Sequence, residues 1–249
     1  MKKMYINYLI VRKNMLYSKK NTPKRSNKMC LSKIIGFFKK KRPLPHRSLH
    51  DIKNACRILF IDDHKFGLVD RLKTQEGWKN TTWIKDLDSI SQTELLDAHI
   101  VLVDVQGVGK KMKFEDEGLG LIVAIKENYP LKKVIMYSAE NQGQIDSFHK
   151  ASNVVDYRLR KNSTQYEFNV AIETLANEAF SLENCIARLK QTLYNEYSLK
   201  LTDKQIEEKL MKVDAEHLDE RSIASVFNLQ NAAAVAQIIQ LFYTLGMPK

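Results

Sequence analysis

Between Ala55 and about Asn177, short apolar runs alternate with longer stretches in which apolar residues recur every three or four positions. The runs Arg57–Ile61, Thr81–Lys85, His99–Val103, Lys133–Tyr137 and Val154–Leu159 are rich in β-branched and aliphatic residues, the pattern of strands buried in a parallel sheet. Helical spacing falls between them, over Phe66–Gln75, Gln92–Ala98, Leu119–Asn128, Gly143–Lys150 and Gln165–Ala179, where Phe168, Ile172 and Leu175 share one face. Tyr129-Pro130 ends the third of these helices, because the residue before proline is pushed out of the helical region. Strands alternating with helices predict an α/β fold with a five-stranded, doubly wound parallel sheet over residues 55–177.

Beyond residue 178 the strand pattern stops. Leu182–Leu199 places Cys185, Ile186, Leu189, Leu193 and Tyr197 near heptad spacing, which predicts a long helix continuing out of the α/β unit. Two more helices are predicted, Asp203–Val213 with Thr202 as N-cap, and Glu220–Leu245 before Gly246 and Pro248. Residues 178–249 therefore read as a helical C-terminal region. Within it Ser222–Leu229 followed by Asn231–Ile239 has a faint helix-turn-helix pattern, but the second segment contains no Lys or Arg. DNA affinity comes largely from neutralising phosphates, so packing against other helices or a second copy of the chain explains that segment better.

Charge separates the first part of the chain from the rest. Residues 1–50 hold 15 Lys or Arg and no Asp or Glu; of the 40 basic residues this leaves 25, against all 29 acidic ones, in residues 51–249. The high isoelectric point belongs to a basic N-terminal arm, residues 1–54, expected to be flexible, and not to the folded body. Leu31, Ile34, Ile35 and Phe38 beside Lys39, Lys40, Lys41 and Arg42 give the arm a short basic amphipathic stretch, a candidate for an anionic membrane surface or nucleic acid. Met29 is an alternative start, in which case residues 1–28 carry no function. The apolar run Met4–Val11 is too short to span a bilayer and lacks a cleavage site, so a cytoplasmic protein is expected. Cys30, Cys56 and Cys185 lack the CxxC grouping of zinc or redox sites and fit a reducing compartment.

Two of the apolar runs break abruptly into acid: Ile58-Leu59-Phe60-Ile61 into Asp62-Asp63, and Ile100-Val101-Leu102-Val103 into Asp104. Ligands of parallel sheets gather at the carboxyl ends of the strands, so the three carboxylates are expected at one edge. Like charges crowded there raise one another's pKa unless a cation neutralises them, and a hard, oxygen-seeking ion such as Mg2+ is the natural candidate. Together with Ser138-Ala139 after the fourth strand and the Arg160-Lys161 pair after the fifth, this order resembles the receiver domain of bacterial two-component response regulators, over about residues 55–177.

The resemblance implies a flavodoxin-like receiver fold and a phosphorelay role. Asp104 would be the phosphoacceptor. Asp62, Asp63 and Asp104, with the backbone carbonyl of Gln106, would hold Mg2+; Ser138 and a cation would meet the phosphoryl oxygens; Tyr157 would be the switch residue. A histidine kinase or phosphotransfer protein would be the donor, and at most self-phosphorylation and self-dephosphorylation would be catalysed.

Three departures bear on these expectations. Tyr157 plus three is Arg160, whereas Lys161 has the chemistry the family uses, so both cations stand as candidates; Asn162 replaces the usual proline. The segment from Val105 to Gly118 is longer than the family's turn, and its charge suggests either a solvated insertion or a mobile or partner-facing flap. His64, His99 and His149 share no ligand spacing and read as surface or strand-edge residues. The other readings are a DNA-binding transcriptional regulator, a degenerate receiver acting as a phosphorylation-independent interaction module, and a Mg2+-dependent hydrolase on a similar sheet.

Overall fold

The structure is a computed structural model in which residues 47–139, 150–214 and 216–244 are described. Five strands, β1 (Arg57–Ile61), β2 (Asn80–Ile84), β3 (Ile100–Asp104), β4 (Lys133–Ser138) and β5 (Tyr157–Arg160), form one all-parallel sheet in the order β2-β1-β3-β4-β5. This is the flavodoxin-like doubly wound order, and its topological switch point lies between β1 and β3, where such sheets take their ligands.

Helices α1 (Leu49–Ala55), α2 (Leu68–Thr74) and α6 (Gln165–Ala179) cover the face formed by Ile58, Phe60, Ile100, Leu102, Ile135 and Tyr137. Helices α3 (Thr93–Asp97), α4 (Glu117–Asn128) and α5 (Lys150–Val154) cover the face formed by Leu59, Ile61, Val101, Val103, Val134 and Met136. Each large side chain so buried contributes about 1.5–3 kcal/mol. Helix starts follow local capping chemistry. Thr164 and Glu167 make a capping box at α6, and Ser48 accepts the Asp51 N–H at α1. Helix α1 therefore lies inside the stretch expected to be flexible arm; residues 1–46 of that arm, with its amphipathic segment and Met29, lie outside the described residues, as do Gly143–His149.

One strand boundary differs from expectation. Val154 closes α5, and β5 begins only at Tyr157, because the Asp156 carboxylate is held by the Val134 N–H at 2.8 Å and by Lys126 at 3.0 Å. β5 is an edge strand and mostly exposed.

The C-terminal region is α7 (Leu182–Tyr197), α8 (Asp203–Leu210), α9 (Glu220–Phe227) and α10 (Ala233–Thr244), with a separate core of Leu189, Leu193, Ile206, Leu210, Ile223, Phe227, Val235 and Ile239. Two expectations are corrected here. α7 does not continue α6: Ser181 accepts the Asn184 N–H at 3.1 Å and starts a new helix. The single helix expected over Glu220–Leu245 is two, because Asn228 takes a left-handed conformation (φ 58°) that ends α9, and the Glu220 carboxylate accepts the Ala232 N–H at 3.1 Å before α10. Leu241 of α10 packs against the α/β core, and Arg47 stacks 4.2 Å over the Phe242 ring, which ties this region to the sheet unit. Among the described residues no helix is long and apolar enough to cross a membrane. Cys56 and Cys185 are free and buried, and burial pushes both thiols up to about 12, so neither is a reactive thiolate.

Candidate functional site

β1 and β3 pair in register Ile61↔Val103, so the next residues, Asp62 and Asp104, emerge side by side at the carboxyl edge. Both are buried, Asp62 completely. Between them comes Lys161. Its backbone N–H donates to the Ser138 carbonyl at 2.7 Å, extending the β4–β5 ladder by one residue and turning the side chain over the edge. Lys161 Nζ lies 2.7 Å from Asp104 Oδ2 and 3.0–3.1 Å from the two oxygens of Asp62. Asp62 also accepts the Tyr137 hydroxyl at 2.9 Å and the His64 N–H at 3.0 Å, while its carbonyl accepts the indole N–H of Trp83 at 2.9 Å.

These contacts shape the titration of the site. Burial raises the Asp104 pKa; the Lys161 hydrogen bond and charge oppose this, the neighbouring Asp62 adds to it, and the net shift is upward. Burial works against the Lys161 charge, but hydrogen bonds to Asp104 and Asp62 outweigh it and hold the ammonium above its usual value. Burial and the Asp62 carboxylate keep the Tyr137 phenol protonated far into the alkaline range.

Asp63 is half-buried beside this pair, with Oδ1 2.8 Å from His64 Nδ1. Asp62, Asp63 and His64 each offer a donor atom within 4.8 Å of the others. His64, read from spacing as an unrelated surface histidine, is exposed but adjoins the acids. Three carboxylates against one ammonium leave an excess of two negative charges at a set of hard oxygen donors, which fits a small divalent cation such as Mg2+.

Two glycines permit this geometry. A Cβ on Gly107 (φ +85°) would stand 2.4 Å from the Asp63 carboxyl group, so only glycine lets the chain pass there. A Cβ on Gly118 would stand 1.9 Å from the Asp104 carbonyl and 2.9 Å from Val105 Cα, both backbone atoms. Gly118→Ala is therefore expected to push α4 off β3 and destabilise the fold by about 2 kcal/mol or more, read by chemical denaturation.

Ser138 is buried at the end of β4, and Gln106 is exposed two residues beyond Asp104, to whose carboxylate its N–H donates. Lys161, and not Arg160, is the cation brought to the acids: Arg160 is exposed, and its backbone N–H bonds the Ser163 hydroxyl at 3.3 Å. Strand alternation sets Tyr157, the expected switch residue, on a different face from Ser138. Tyr157 shares a face with Leu159, which packs against the α6 side of the sheet, whereas Ser138 follows Val134 and Met136 on the opposite side. The position three before Lys161 is Arg158, whose guanidinium bonds the Ser152 carbonyl.

The long segment after β3 is tethered to the domain, while Lys110, Lys111, Lys113, Glu115 and Asp116 are exposed on it. Its Gly109 and Lys111 N–H groups donate to the buried Asp86 carboxylate at 2.6 and 3.1 Å, Val108 is buried, and the Gly107 N–H donates to Glu117 at 2.6 Å. Asp86, Glu117 and Tyr137 are the site-supporting residues that the sequence reading missed. Asp86 had a signal, since Trp83-Ile84-Lys85-Asp86 repeats the step from strand to acid.

The fold is that of a receiver domain. No family model and no curated relative matches the chain. Among solved structures, a response regulator from Thermotoga maritima is 18% identical over 49% of this chain and 98% of its own, with a TM-score of 0.38. The receiver domain of NtrX from Brucella abortus is 24% identical over 48% of this chain and 98% of its own, TM-score 0.40. RcsB from Salmonella enterica serovar Typhimurium, solved bound to a promoter, is 19% identical over 79% of this chain and 95% of its own, TM-score 0.39. His99 sits at the strand edge, just before β3 of this receiver fold, and is half-buried. Burial and three nearby cations drive its pKa down to about 3, so it is neutral.

Proposed function

We propose that the protein is a response-regulator-like signalling protein that accepts a phosphoryl group on Asp104 with Mg2+ and passes the change to its helical C-terminal region. The observation that carries this reading is the bridging of Asp104 and Asp62 by Lys161 Nζ at the carboxyl edge, with Ser138 at the end of the neighbouring strand. An Asp104 oxygen attacks phosphorus, the bond from phosphorus to the donor's leaving group breaks, and an acyl phosphate forms. Asp62, Asp63, Asp104 and the Gln106 carbonyl would hold Mg2+, which when bound offsets negative charge on the reacting oxygens. The Lys161 ammonium moves its hydrogen bond from the Asp104 carboxylate to a phosphoryl oxygen, and the Ser138 hydroxyl donates to another. A histidine kinase or phosphotransfer protein is the natural donor.

The output falls to protein contacts rather than to DNA. Residues Val235, Ala236, Ile238, Ile239, Phe242 and Tyr243 of α10 are buried in the helical core, and the helix carries no Lys or Arg with which to hold phosphates. Beryllofluoride binding tests the site. Trp83 touches Asp62, so its fluorescence is expected to change when beryllofluoride and Mg2+ are added together; Asp104→Asn and Trp83→Phe should abolish the change. A response that survives in Asp104→Asn, or needs no Mg2+, overturns this reading.

A further inference from the structure

At the amino ends of the strands, opposite the acidic edge, a cleft of about 740 Å³ opens between the sheet unit and helices α7 and α10. Its walls bring Arg57, Lys132 and Arg188 around His99, and the lining contributes one carboxylate, Asp97. Asp97 pairs with Arg57 at 2.9 Å. Lys132 Nζ gives hydrogen bonds to neutral groups, the carbonyls of Leu96 at 2.8 Å and Ala98 at 2.7 Å. Among the described residues no carboxylate stands within ion-pair distance of the Arg188 guanidinium, although that residue is half-buried. The cleft thus holds two positive charges in excess of its carboxylate. The groups press on one another: burial, then repulsion from Arg188, brings Lys132 down to about 8.

Half-buried cations that outnumber their counter-charges are costly to hold together, and an anion seated between them removes that cost. The geometry points to a binding site for a small molecule bearing a phosphate or diphosphate group, gripped by Arg188 and Lys132, with its organic body against Tyr129, Ile238 and Leu241. The volume falls within the range of ligand pockets, roughly 300–1,000 Å³. Arg188 supplies a planar fork and Lys132 a point charge, the pairing suited to a tetrahedral oxyanion. Because one wall belongs to the sheet unit and the other to α7 and α10, the ligand would fasten the two together and raise the stability of the whole. The site is separate from the acidic edge and does not depend on phosphoryl transfer to Asp104.

Thermal unfolding and calorimetry of the full chain in EDTA, at physiological salt to screen exposed charges, test the proposal with ADP, inorganic pyrophosphate and adenosine as probes. Raised melting temperatures are expected with ADP and pyrophosphate but not with adenosine. ADP is expected to bind about tenfold or more weakly to Arg188→Gln and equally well to Lys190→Gln, which alters an exposed lysine of the same helix paired with Asp203. Lys132→Gln provides a second reading should Arg188→Gln fail to fold. No shift with either anion, or a shift equal in Arg188→Gln or Lys132→Gln and the parent protein, overturns the assignment; the second result would put the anion on other basic residues.

Discussion

Lys161→Met is expected to lower folding stability at neutral pH by about 3 kcal/mol, the lower end of the range for breaking a buried ion pair, because the lysine side chain is 27% exposed. The loss arises from what remains. Asp62 and Asp104 would face each other, almost without solvent, with the charge that separates them gone. The pH dependence carries the signature. Burial and Asp62 already raise the Asp104 pKa above its ordinary 3.8, and without the ammonium it rises further. A folded-state value above the unfolded one means stability is gained as pH falls through the folded value towards 3.8, and lost as pH rises. The variant should therefore regain stability on acidification, and also on addition of Mg2+, in denaturation curves taken across pH 4–8. A variant as stable as the parent at neutral pH would show that Lys161 does not hold the two carboxylates.

Asp104→Asn is expected to move the other way, raising stability by about 1 kcal/mol or roughly 2–4 °C in Tm for a protein of this size. The reason is the same raised pKa: the ionised carboxylate is a buried charge whose upward shift marks a net cost at neutral pH. An asparagine keeps an acceptor oxygen for Lys161 while removing one of two negative charges from the bridge. The substitution is also expected to abolish phosphoryl uptake, so stability and function would move in opposite directions, as when a site is kept reactive at the expense of the fold. A fall in Tm would mean that the Asp104 charge is fully compensated in the resting protein.

Much of this arrangement is legible before any coordinates. Strands buried on two faces leave uninterrupted apolar runs, so β1, β3 and β4 stand out, and the acids that end β1 and β3 mark the ligand edge. β5 was harder because it is an exposed edge strand preceded by Val154-Val155, an apolar pair that packs against the other side of the sheet as α5 closes. Arg160 and Lys161 could not be told apart by spacing. Adjacent residues of a strand point to opposite faces, and the deciding bond, from the Lys161 N–H to the Ser138 carbonyl, is a long-range contact. The same holds for Asp86, whose partners lie 23 and 25 residues further on, and for Tyr137, whose hydroxyl meets an acid 75 residues earlier. The break at Asn228 was readable, since asparagine tolerates a left-handed helix end better than most residues, but the surrounding apolar periodicity masked it.

The central claim is that the acids gathered at the carboxyl edge make Asp104 able to carry phosphate. Incubation of the full chain with acetyl phosphate and Mg2+, followed by intact mass measurement and peptide mapping after borohydride trapping, tests it most directly. One phosphoryl group per chain, located at Asp104, lost in EDTA and absent from Asp104→Asn, is the result expected. A folded protein that stays unmodified at saturating acetyl phosphate and Mg2+, or that is modified elsewhere, would contradict it.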